Sequence, residues 1–311
     1  RMRKIENCPV CSSEKVQHFI STSAQMHSDK EVFKFDQCTD CEFVFLNPKV
    51  SPEQLNNYYT KYYLPYRGAE AWGKYGKLVN NSLKKLDLRK LKFVNSVQKL
   101  NSSSLLLDVG CGQPSFLKLS KEKSNCQTLG IDFSNEGWSN QNHKYQNIEL
   151  QVGEVRDLSQ KLRPDIITMW HYLEHDYSPI ENLSYLKSIS KSSTKLIIEV
   201  PNFDSSSRKK FGKHWAGWHT PRHTSLFSPN NLKMMLNKSG WKLERSFDYG
   251  TMDPYLIEWM SRMEEKEIEW DKNMESEIVS FIMGMIAFLP KRILEKKLSL
   301  GIMTMIASPD V

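Results

Sequence analysis

The stretch Leu105-Leu-Leu-Asp-Val-Gly-Cys-Gly-Gln-Pro114 decides the fold, because it joins a short apolar strand to a glycine turn. A helix is predicted directly after it, over residues 115–123. Strand, glycine turn and helix together form a nucleotide-binding corner, since glycines let ligand atoms approach the backbone near a helix N-terminus. A dinucleotide fingerprint would carry a third glycine where Ser115 stands. Asp108 precedes the first glycine by two residues, and a carboxylate there suits a cationic amino-acid ligand better than a pyrophosphate.

Further strands follow this corner along the chain. Residues 128–132 form a second predicted strand that ends in Asp132, and an acid at that strand end can accept both ribose hydroxyls of a nucleotide. Residues 148–152, 165–170 and 195–200 have similar strand patterns and are separated by helical stretches. This alternation predicts an α/β protein with a parallel, doubly wound sheet.

Five motifs in order resemble those of the class I S-adenosylmethionine-dependent methyltransferases: Asp108-Val-Gly-Cys-Gly112, Gly130-Ile-Asp132, Gly153-Glu154, Leu173-Glu-His175 and Glu199-Val-Pro-Asn202. The resemblance implies a seven-stranded Rossmann-like sheet whose last two strands, 241–247 and 301–308, form a reversed pair. It implies S-adenosylmethionine as the cofactor. The cofactor-binding residues are then Asp108, Gly110 and Gly112 at the methionine moiety, Asp132 at the ribose, Phe133 beside the adenine, Glu154 at the adenine amino group with Asp157 as the alternative, and Trp170 at the end of the fourth strand.

The glycine turn departs from the family pattern at one position. The third glycine of the family is replaced by Pro114. Because proline is accepted in the first turn of a helix, we expect a reshaped turn that still binds the cofactor.

Four of the six cysteines form two pairs, Cys8-Pro-Val-Cys11 and Cys38-Thr-Asp-Cys41. A two-residue gap lets one turn point both sulfurs at a single ion, and two such turns complete a tetrahedral thiolate site. Residues 16–20 and 32–36, between the pairs, predict the strands of a hairpin. A segment this short buries too small a core to fold without a cross-link such as a bound metal ion. We therefore predict a zinc ribbon with a structural zinc ion on all four cysteines; redox-active pairs or buried thiols are the alternatives.

The chain divides into five predicted segments. They are a zinc ribbon (1–48), an aromatic and helical connector (49–100), an S-adenosylmethionine-binding methyltransferase domain (101–250), a helical insert (251–298) and the final strand of the sheet (299–311). The connector carries five tyrosines between positions 58 and 66, which either close over a planar ligand or, as we favour, pack the ribbon against the next domain. The apolar half of the insert either lies on a membrane, covers the active site, or packs against the sheet or a dimer partner.

Methyl transfer requires a nucleophile held close to the methyl group and, for a hydroxyl or an acidic carbon, a base. One candidate cluster is His171, Glu174 and His175 at the end of the fourth strand, where open α/β sheets bind ligands. It resembles the Glu-x-x-Glu-His motif of ubiquinone-biosynthesis O-methyltransferases, in which such residues can hold a divalent metal. His171 replaces the first acid, so the sequence leaves metal binding by this trio open; a plain helix start is the alternative.

The second candidate cluster lies in residues 211–228, which are rich in histidine and tryptophan. Trp215, Trp218 and His219 are predicted to contact a sugar or ring, and Arg222 to bind a phosphate or carboxylate. The stretch resembles a segment of methyltransferases of bacterial sugar and surface-polysaccharide pathways. It also resembles a loop of zinc-ribbon deoxysugar C-methyltransferases, in which a Tyr-x-Glu-His motif precedes Phe-Ser. Here Thr220 and Arg222 replace its tyrosine and glutamate. His223 keeps the position of the candidate base; a structural histidine is the alternative.

The net charge and the lengths of the apolar runs restrict the kinds of partner that we expect for this chain. With 43 Lys and Arg against 36 Asp and Glu, the net charge is +7, which favours an anionic partner. The basic residues are dispersed, which argues against nucleic acid. The apolar run at 278–290 is shorter than the roughly 20 residues that span a bilayer, and no secretion leader opens this sequence.

We therefore expect a cytoplasmic enzyme, monomeric or homodimeric, that methylates a small phosphate-bearing sugar or nucleotide-linked sugar, with peripheral membrane contact through 278–298 left open. The alternatives are O-methylation of an aromatic or lipid-linked intermediate, and a non-enzymatic zinc-ribbon binding protein.

Overall fold

The computed structural model describes residues 2–60 and 62–310. Its strands are β1 (Val16–Ser23), β2 (Val32–Cys38), β3 (Val44–Leu46), β4 (Leu105–Val109), β5 (Gln127–Asp132), β6 (Glu149–Val152), β7 (Ile166–Trp170), β8 (Lys195–Pro201), β9 (Ser225–Leu226), β10 (Trp241–Phe247) and β11 (Ile302–Pro309). Its α-helices are α1 (Pro52–Leu55), α2 (Leu64–Arg67), α3 (Gly76–Val97), α4 (Ser115–Ser124), α5 (Pro179–Ser188), α6 (Ser206–Phe211), α7 (Pro229–Lys238), α8 (Pro254–Glu265) and α9 (Ile278–Ile293).

Within those residues, the larger sheet has seven strands in the order β10-β11-β8-β7-β4-β5-β6. The five strands from β8 to β6 are parallel, and β11 runs antiparallel to both of its neighbours. The predicted α/β class, the seven-stranded Rossmann-like sheet and the reversed final pair are thereby confirmed. The glycine-turn strand β4 lies inside the sheet, beside the middle strand β7. Strands β5 and β6 follow β4 on one side, and β7 and β8 lie on the other, so the strand order changes direction between β4 and β7.

The central strands β4, β7 and β8 are buried on both faces, which explains why they are nearly continuous apolar runs. Alternate residues of a strand point to opposite faces. Leu107 of β4 and Ile167 of β7 therefore contribute to one apolar cluster, while Leu106 and Ile166 contribute to another. Because helices cover both faces, ligands can reach this sheet only at the strand ends, and the carboxyl ends beside β4 and β7 form the usual binding crevice of such folds.

The N-terminal hairpin belongs to a second sheet, in the order β1-β2-β3-β9. The antiparallel pair β1–β2 confirms the predicted hairpin and extends it. The pairing of β3 with β9, through Val44 with Leu226 and Phe45 with Ser225, was not foreseen from the sequence. Apolar residues of this segment, including Phe43 and Phe45, pack in the same cluster as strands of the large sheet. The N-terminal segment therefore shares a core with the large sheet.

The connector and the insert are helical, as predicted. Helix α3 lies within the connector, and α8 and α9 form the insert. One side of α9 packs through Ile278 and Phe288, whereas Val279, Met283 and Ile293 are exposed. Among the residues that the structure describes, no helix is long and apolar enough to cross a membrane.

Candidate active site

The glycine turn after β4 is open at one residue and tightly packed at its neighbours. Gly112 has φ +48°, and a Cβ built there would meet no atom within 4 Å. A Cβ on Gly110, with φ +73°, would lie 2.3 Å from the ring of Tyr172, and one on Gly137 would lie 2.2 Å from the carbonyl oxygen of Gly112. The backbone of the turn is therefore fixed by close contacts and leaves room for a ligand beside Gly112. Pro114 stands at the N-cap of α4.

Two buried carboxylates flank this turn. Asp108 accepts a hydrogen bond from Thr168 Oγ1 at 2.6 Å, and burial raises the pKa of Asp108 to about 7. Asp132 accepts from the backbone N–H of Gly112 at 2.9 Å, and burial raises the pKa of this acid as well. A cationic ligand group beside a buried carboxylate offsets that penalty. The turn and its two acids therefore fit a ligand that carries both an ammonium group and hydroxyls, as S-adenosylmethionine does.

The remaining predicted cofactor residues stand at neighbouring strand ends. Phe133 follows β5 and is 61% exposed, with its ring 6.5 Å from that of Tyr59. Glu154, after β6, is exposed, and its backbone N–H donates to Asp157 Oδ2 at 2.7 Å. Asp157, the alternative acid for the adenine amino group, therefore caps the short turn at residues 155–157. Trp170 is buried at the end of β7, and its Nε1 has no hydrogen-bond partner among the described residues. The structure gathers these residues around one crevice; their contacts with the cofactor stay predictions.

His171 is held between two carboxylates. Its Nε2 lies 3.0 Å from Glu199 Oε1, and its Nδ1 lies 3.5 Å from Glu174 Oε1. Burial alone would lower the pKa of His171, but its ion pair with Glu174 and its hydrogen bond and ion pair with Glu199 outweigh burial and raise the pKa to about 9. At neutral pH both ring nitrogens are therefore protonated, and the predicted catalytic role of His171 as a base is not supported by this geometry.

Glu174, His175 and His223 converge in front of the crevice. Glu174 is 1% exposed, and neither of its carboxylate oxygens has a hydrogen-bond partner among residues 2–60 and 62–310. The rings of His175 and His223 meet edge to face, with centroids 4.5 Å apart. His223 Nδ1 lies 2.8 Å from the carbonyl oxygen of Gly217, and His223 Nε2 lies 3.9 Å from Glu174 Oε1. Burial lowers the pKa of both histidines, so both are neutral.

Three predicted substrate contacts need correction, because the structure buries them. Trp215 and Trp218 are 0% and 1% exposed, and their indole N–H groups donate to Ser207 Oγ and to the carbonyl oxygen of Gly212. Neither ring offers a face to a ligand. They pack instead with the N-terminal sheet, where Phe35 lies 4.9 Å from Trp218.

Arg222 is likewise committed inside the protein. It is 0% exposed, and its guanidinium donates to the backbone carbonyl oxygens of Gln25, Met26 and Tyr58. It therefore ties the connector and the N-terminal sheet to the loop before β9, and the prediction that it binds a phosphate is wrong. Of the predicted substrate set, His219 is the most exposed, at 9%, and it too is buried.

The tyrosines of the connector pack in two different places. Tyr58 packs edge-on against Phe33 of the N-terminal sheet, as expected for a packing residue. Tyr59, Tyr63 and Tyr66 instead pack on one another beside the site, where Tyr63 lies 5.5 Å from His219. The hydroxyl of Tyr59 lies 3.3 Å from His175 Nδ1. Sequence reasoning missed this contact, and the only signal for it was the density of tyrosines.

The four paired cysteines also converge. The Sγ atoms of Cys8 and Cys41 lie 3.5 Å apart, as do those of Cys11 and Cys38, and all four sulfurs lie within 4.8 Å of one another. A tetrahedral zinc with Zn–S bonds of about 2.3 Å separates its sulfurs by roughly 3.8 Å. None of the four forms a disulfide. The donor set and its spacing fit a tetrahedral ion.

The chain matches a family described as a methyltransferase domain over residues 83–246, more than half of its length. It belongs to this family, and together with the glycine turn and its two acids this defines an S-adenosylmethionine-dependent methyltransferase. When bound, the cofactor supplies an electrophilic methyl group on a sulfonium.

The chain is similar to several solved structures. A chain of the complex between the Haloferax volcanii Trm112 methyltransferase activator and its methyltransferase is 12% identical, with 78% of this chain and 98% of that chain covered and a TM-score of 0.50. A protein described as a sarcosine dimethylglycine methyltransferase from Galdieria sulphuraria is 13% identical, with 76% and 88% covered and a TM-score of 0.49. A Geobacter sulfurreducens S-adenosylmethionine-dependent methyltransferase in complex with S-adenosyl-L-homocysteine is 12% identical, with 71% and 90% covered and a TM-score of 0.45. No curated protein matches the chain.

Proposed function

We propose that this methyltransferase acts on a small polyhydroxyl acceptor, a sugar or a nucleotide-linked sugar, and that His223 accepts the proton that the acceptor loses. The orientation of His223 carries the proposal. A carbonyl oxygen can only accept, so His223 Nδ1 must donate to Gly217, and this fixes the tautomer that leaves a free lone pair on Nε2. Burial holds the pKa of His223 well below its usual value, so that lone pair is available at neutral pH.

The neighbours of His223 support this role. Proton transfer to Nε2 creates an imidazolium, and Glu174 Oε1 lies 3.9 Å away to stabilise it. The other oxygen of Glu174 has no hydrogen-bond partner among the described residues, and the ring of His219 lies 4.8 Å from that of His223. Asp108, Gly110, Gly112 and Asp132 would hold the cofactor with the nucleoside toward Phe133 and Glu154.

The aromatic surface of Tyr59, Tyr63 and Tyr66 favours a second candidate function, O-methylation of an aromatic or lipid-linked intermediate. Their rings pack between Phe133 and His219, with Tyr59 nearest Phe133 and Tyr63 nearest His219. Flat apolar faces at this position would suit a ring-bearing acceptor as well as a sugar.

We also propose a structural zinc ion on Cys8, Cys11, Cys38 and Cys41, supported by the sulfur spacing. A phosphate on the acceptor stays a prediction from net charge. Cytoplasmic location, peripheral membrane contact through 278–298 and the monomeric or dimeric state stay predictions too.

Two variants separate cofactor binding from proton transfer. Asp132→Ala should weaken binding of S-adenosylhomocysteine in calorimetry, because it removes the predicted ribose acceptor. His223→Gln should lower transfer to a panel of nucleotide-linked sugars by about 100-fold or more while leaving S-adenosylhomocysteine affinity unchanged. Unchanged binding in Asp132→Ala would refute the cofactor assignment, and full turnover in His223→Gln would place the base elsewhere.

A further inference from the structure

The buried carboxylate of Glu174 is the starting observation. Neither of its oxygens is hydrogen-bonded among the described residues, although the side chain is only 2% exposed. A buried charged group without hydrogen bonds is costly, and native proteins normally satisfy such groups. The nearest cation, His171, stands 3.5 Å from Glu174 Oε1 through Nδ1 and makes its closer contact with Glu199. The carboxylate therefore has acceptor capacity left for a further positive group.

The two neutral histidines beside Glu174 are oriented for the same purpose. His175 Nδ1 lies 3.2 Å from the carbonyl oxygen of Arg222, and His223 Nδ1 lies 2.8 Å from that of Gly217. Because a carbonyl only accepts, each Nδ1 carries the proton and each Nε2 keeps its lone pair. Metal-bound histidines usually donate their other ring N–H to a carbonyl or carboxylate in this way, which fixes both the tautomer and the ring orientation.

The spacing of the three groups is close to that of a coordination sphere. One ligating atom from each of Glu174, His175 and His223 lies within 4.8 Å of the other two. Bonds of about 2.0–2.2 Å to a shared ion place ligand atoms roughly 3.3–3.6 Å apart in tetrahedral geometry. The 3.9 Å between His223 Nε2 and Glu174 Oε1 needs only a side-chain adjustment of a few tenths of an ångström to reach that value.

We propose that Glu174, His175 and His223 form a second metal site, which binds a divalent transition ion of the zinc class through one carboxylate oxygen and two imidazoles. This donor set is typical of zinc and related first-row ions and unlike the all-oxygen sets preferred by magnesium. The site differs from the trio suggested by the sequence motif, since His171 is held by its two carboxylates and His223 arrives from the loop before β9. It also lies apart from the four cysteines and goes beyond the proposed transfer reaction.

The charges around the site permit a divalent ion. Glu174 and Glu199 bring two carboxylates to this region, one on each side of the His171 ring. The guanidinium of Arg222 is turned away, toward the carbonyl oxygens of Tyr58, Gln25 and Met26. Three protein ligands leave further coordination positions free for solvent or for an acceptor oxygen, as in open zinc sites.

Cobalt(II) absorption measured on the full chain, without cofactor or acceptor, tests the proposal. Cobalt on the four cysteines shows intense thiolate charge-transfer bands, whereas cobalt on nitrogen and oxygen ligands shows only weak visible bands. We expect a second equivalent of Co²⁺ that adds weak bands and no thiolate band, and a second equivalent of Zn²⁺ that displaces it. His223→Gln and Glu174→Gln should each lower the affinity for the second equivalent of Co²⁺ by about 100-fold or more, with the thiolate bands unchanged.

His219→Gln is the matched control, because His219 is a buried neighbour whose ring lies 4.8 Å from His223 but outside the three-residue set. It should keep both equivalents. The proposal is overturned if wild-type protein shows thiolate-type cobalt only, or if Glu174→Gln and His223→Gln both keep the second equivalent. Both results are read from metal binding in the absence of cofactor and acceptor, whereas the proposed function is read from methyl transfer without added metal, so the failure of one is distinguishable from the failure of the other.

Discussion

The affinity for S-adenosylhomocysteine should depend on pH through Asp108. Burial raises the pKa of this carboxyl to about 7, so it is largely protonated at pH 5.5 and half ionised at pH 7.0. The ionised fraction rises from about 0.03 to about 0.5 over that range, roughly 16-fold, which corresponds to about 1.6 kcal/mol. Because the ammonium group of the ligand prefers the carboxylate, affinity should rise by up to that factor as pH rises and fall as pH drops below the pKa of Asp108.

Calorimetry at pH 5.5, 6.2 and 7.0 measures this dependence while staying below the range in which the ligand's amino group titrates. Asp108→Asn is the control, since its amide oxygen can still accept from Thr168 Oγ1, and its affinity should be low and nearly independent of pH. The variant should also be no less stable than wild type at pH 8, because a raised folded pKa means that stability is lost as pH rises through about 7. Equal pH dependence in both proteins would refute the assignment of Asp108 to the ammonium group.

Three further outcomes are expected. Gly112→Ala should weaken S-adenosylhomocysteine binding at least tenfold, because the new methyl group enters the open space beside the turn. Gly212→Ala is the control, since Gly212 has a similar φ of +52° and equally open surroundings. In denaturant unfolding both variants should lose about 1–2 kcal/mol of stability from backbone strain, but Gly212→Ala should bind S-adenosylhomocysteine normally. Trp218→Ala should lower the free energy of unfolding by about 3–5 kcal/mol, and unchanged stability would contradict its burial. If His223 is the base, saturating Zn²⁺ at the second site should inhibit transfer, because one lone pair cannot hold both a metal and a proton; stimulation by Zn²⁺ would place the base elsewhere.

The large sheet was predictable because its signals are local. The strand and glycine turn at residues 105–114 fix one βα unit, and the later parallel strands β7 and β8 repeat short apolar runs. Parallel strands buried on both faces have no other way to satisfy their backbone groups than to pair side by side. Boundaries shifted by only a residue or so, as where β5 begins at Gln127.

The candidate substrate site was less predictable, because residue type does not reveal which side chains are already committed. Trp215, Trp218 and Arg222 have the chemistry of ligand-binding residues, yet each is paired inside the protein. The partners of Arg222 lie far away in sequence; Gln25 is 197 positions from it. No local pattern indicates a contact of that separation, and the two-residue strand β9 carries no periodicity from which its pairing with β3 could be predicted.

That pairing has a consequence for how the chain could be divided. Ser225 pairs with Phe45 of β3, in the N-terminal sheet, and lies two residues after His223. An N-terminal deletion would remove the strand that holds the loop of His223 in register, and with it the carbonyl oxygens of Gln25 and Met26 that receive Arg222. The cysteine-bearing segment is therefore not a detachable module that could be exchanged between enzymes, and a gene rearrangement that moved it would have to carry a matching loop before β9.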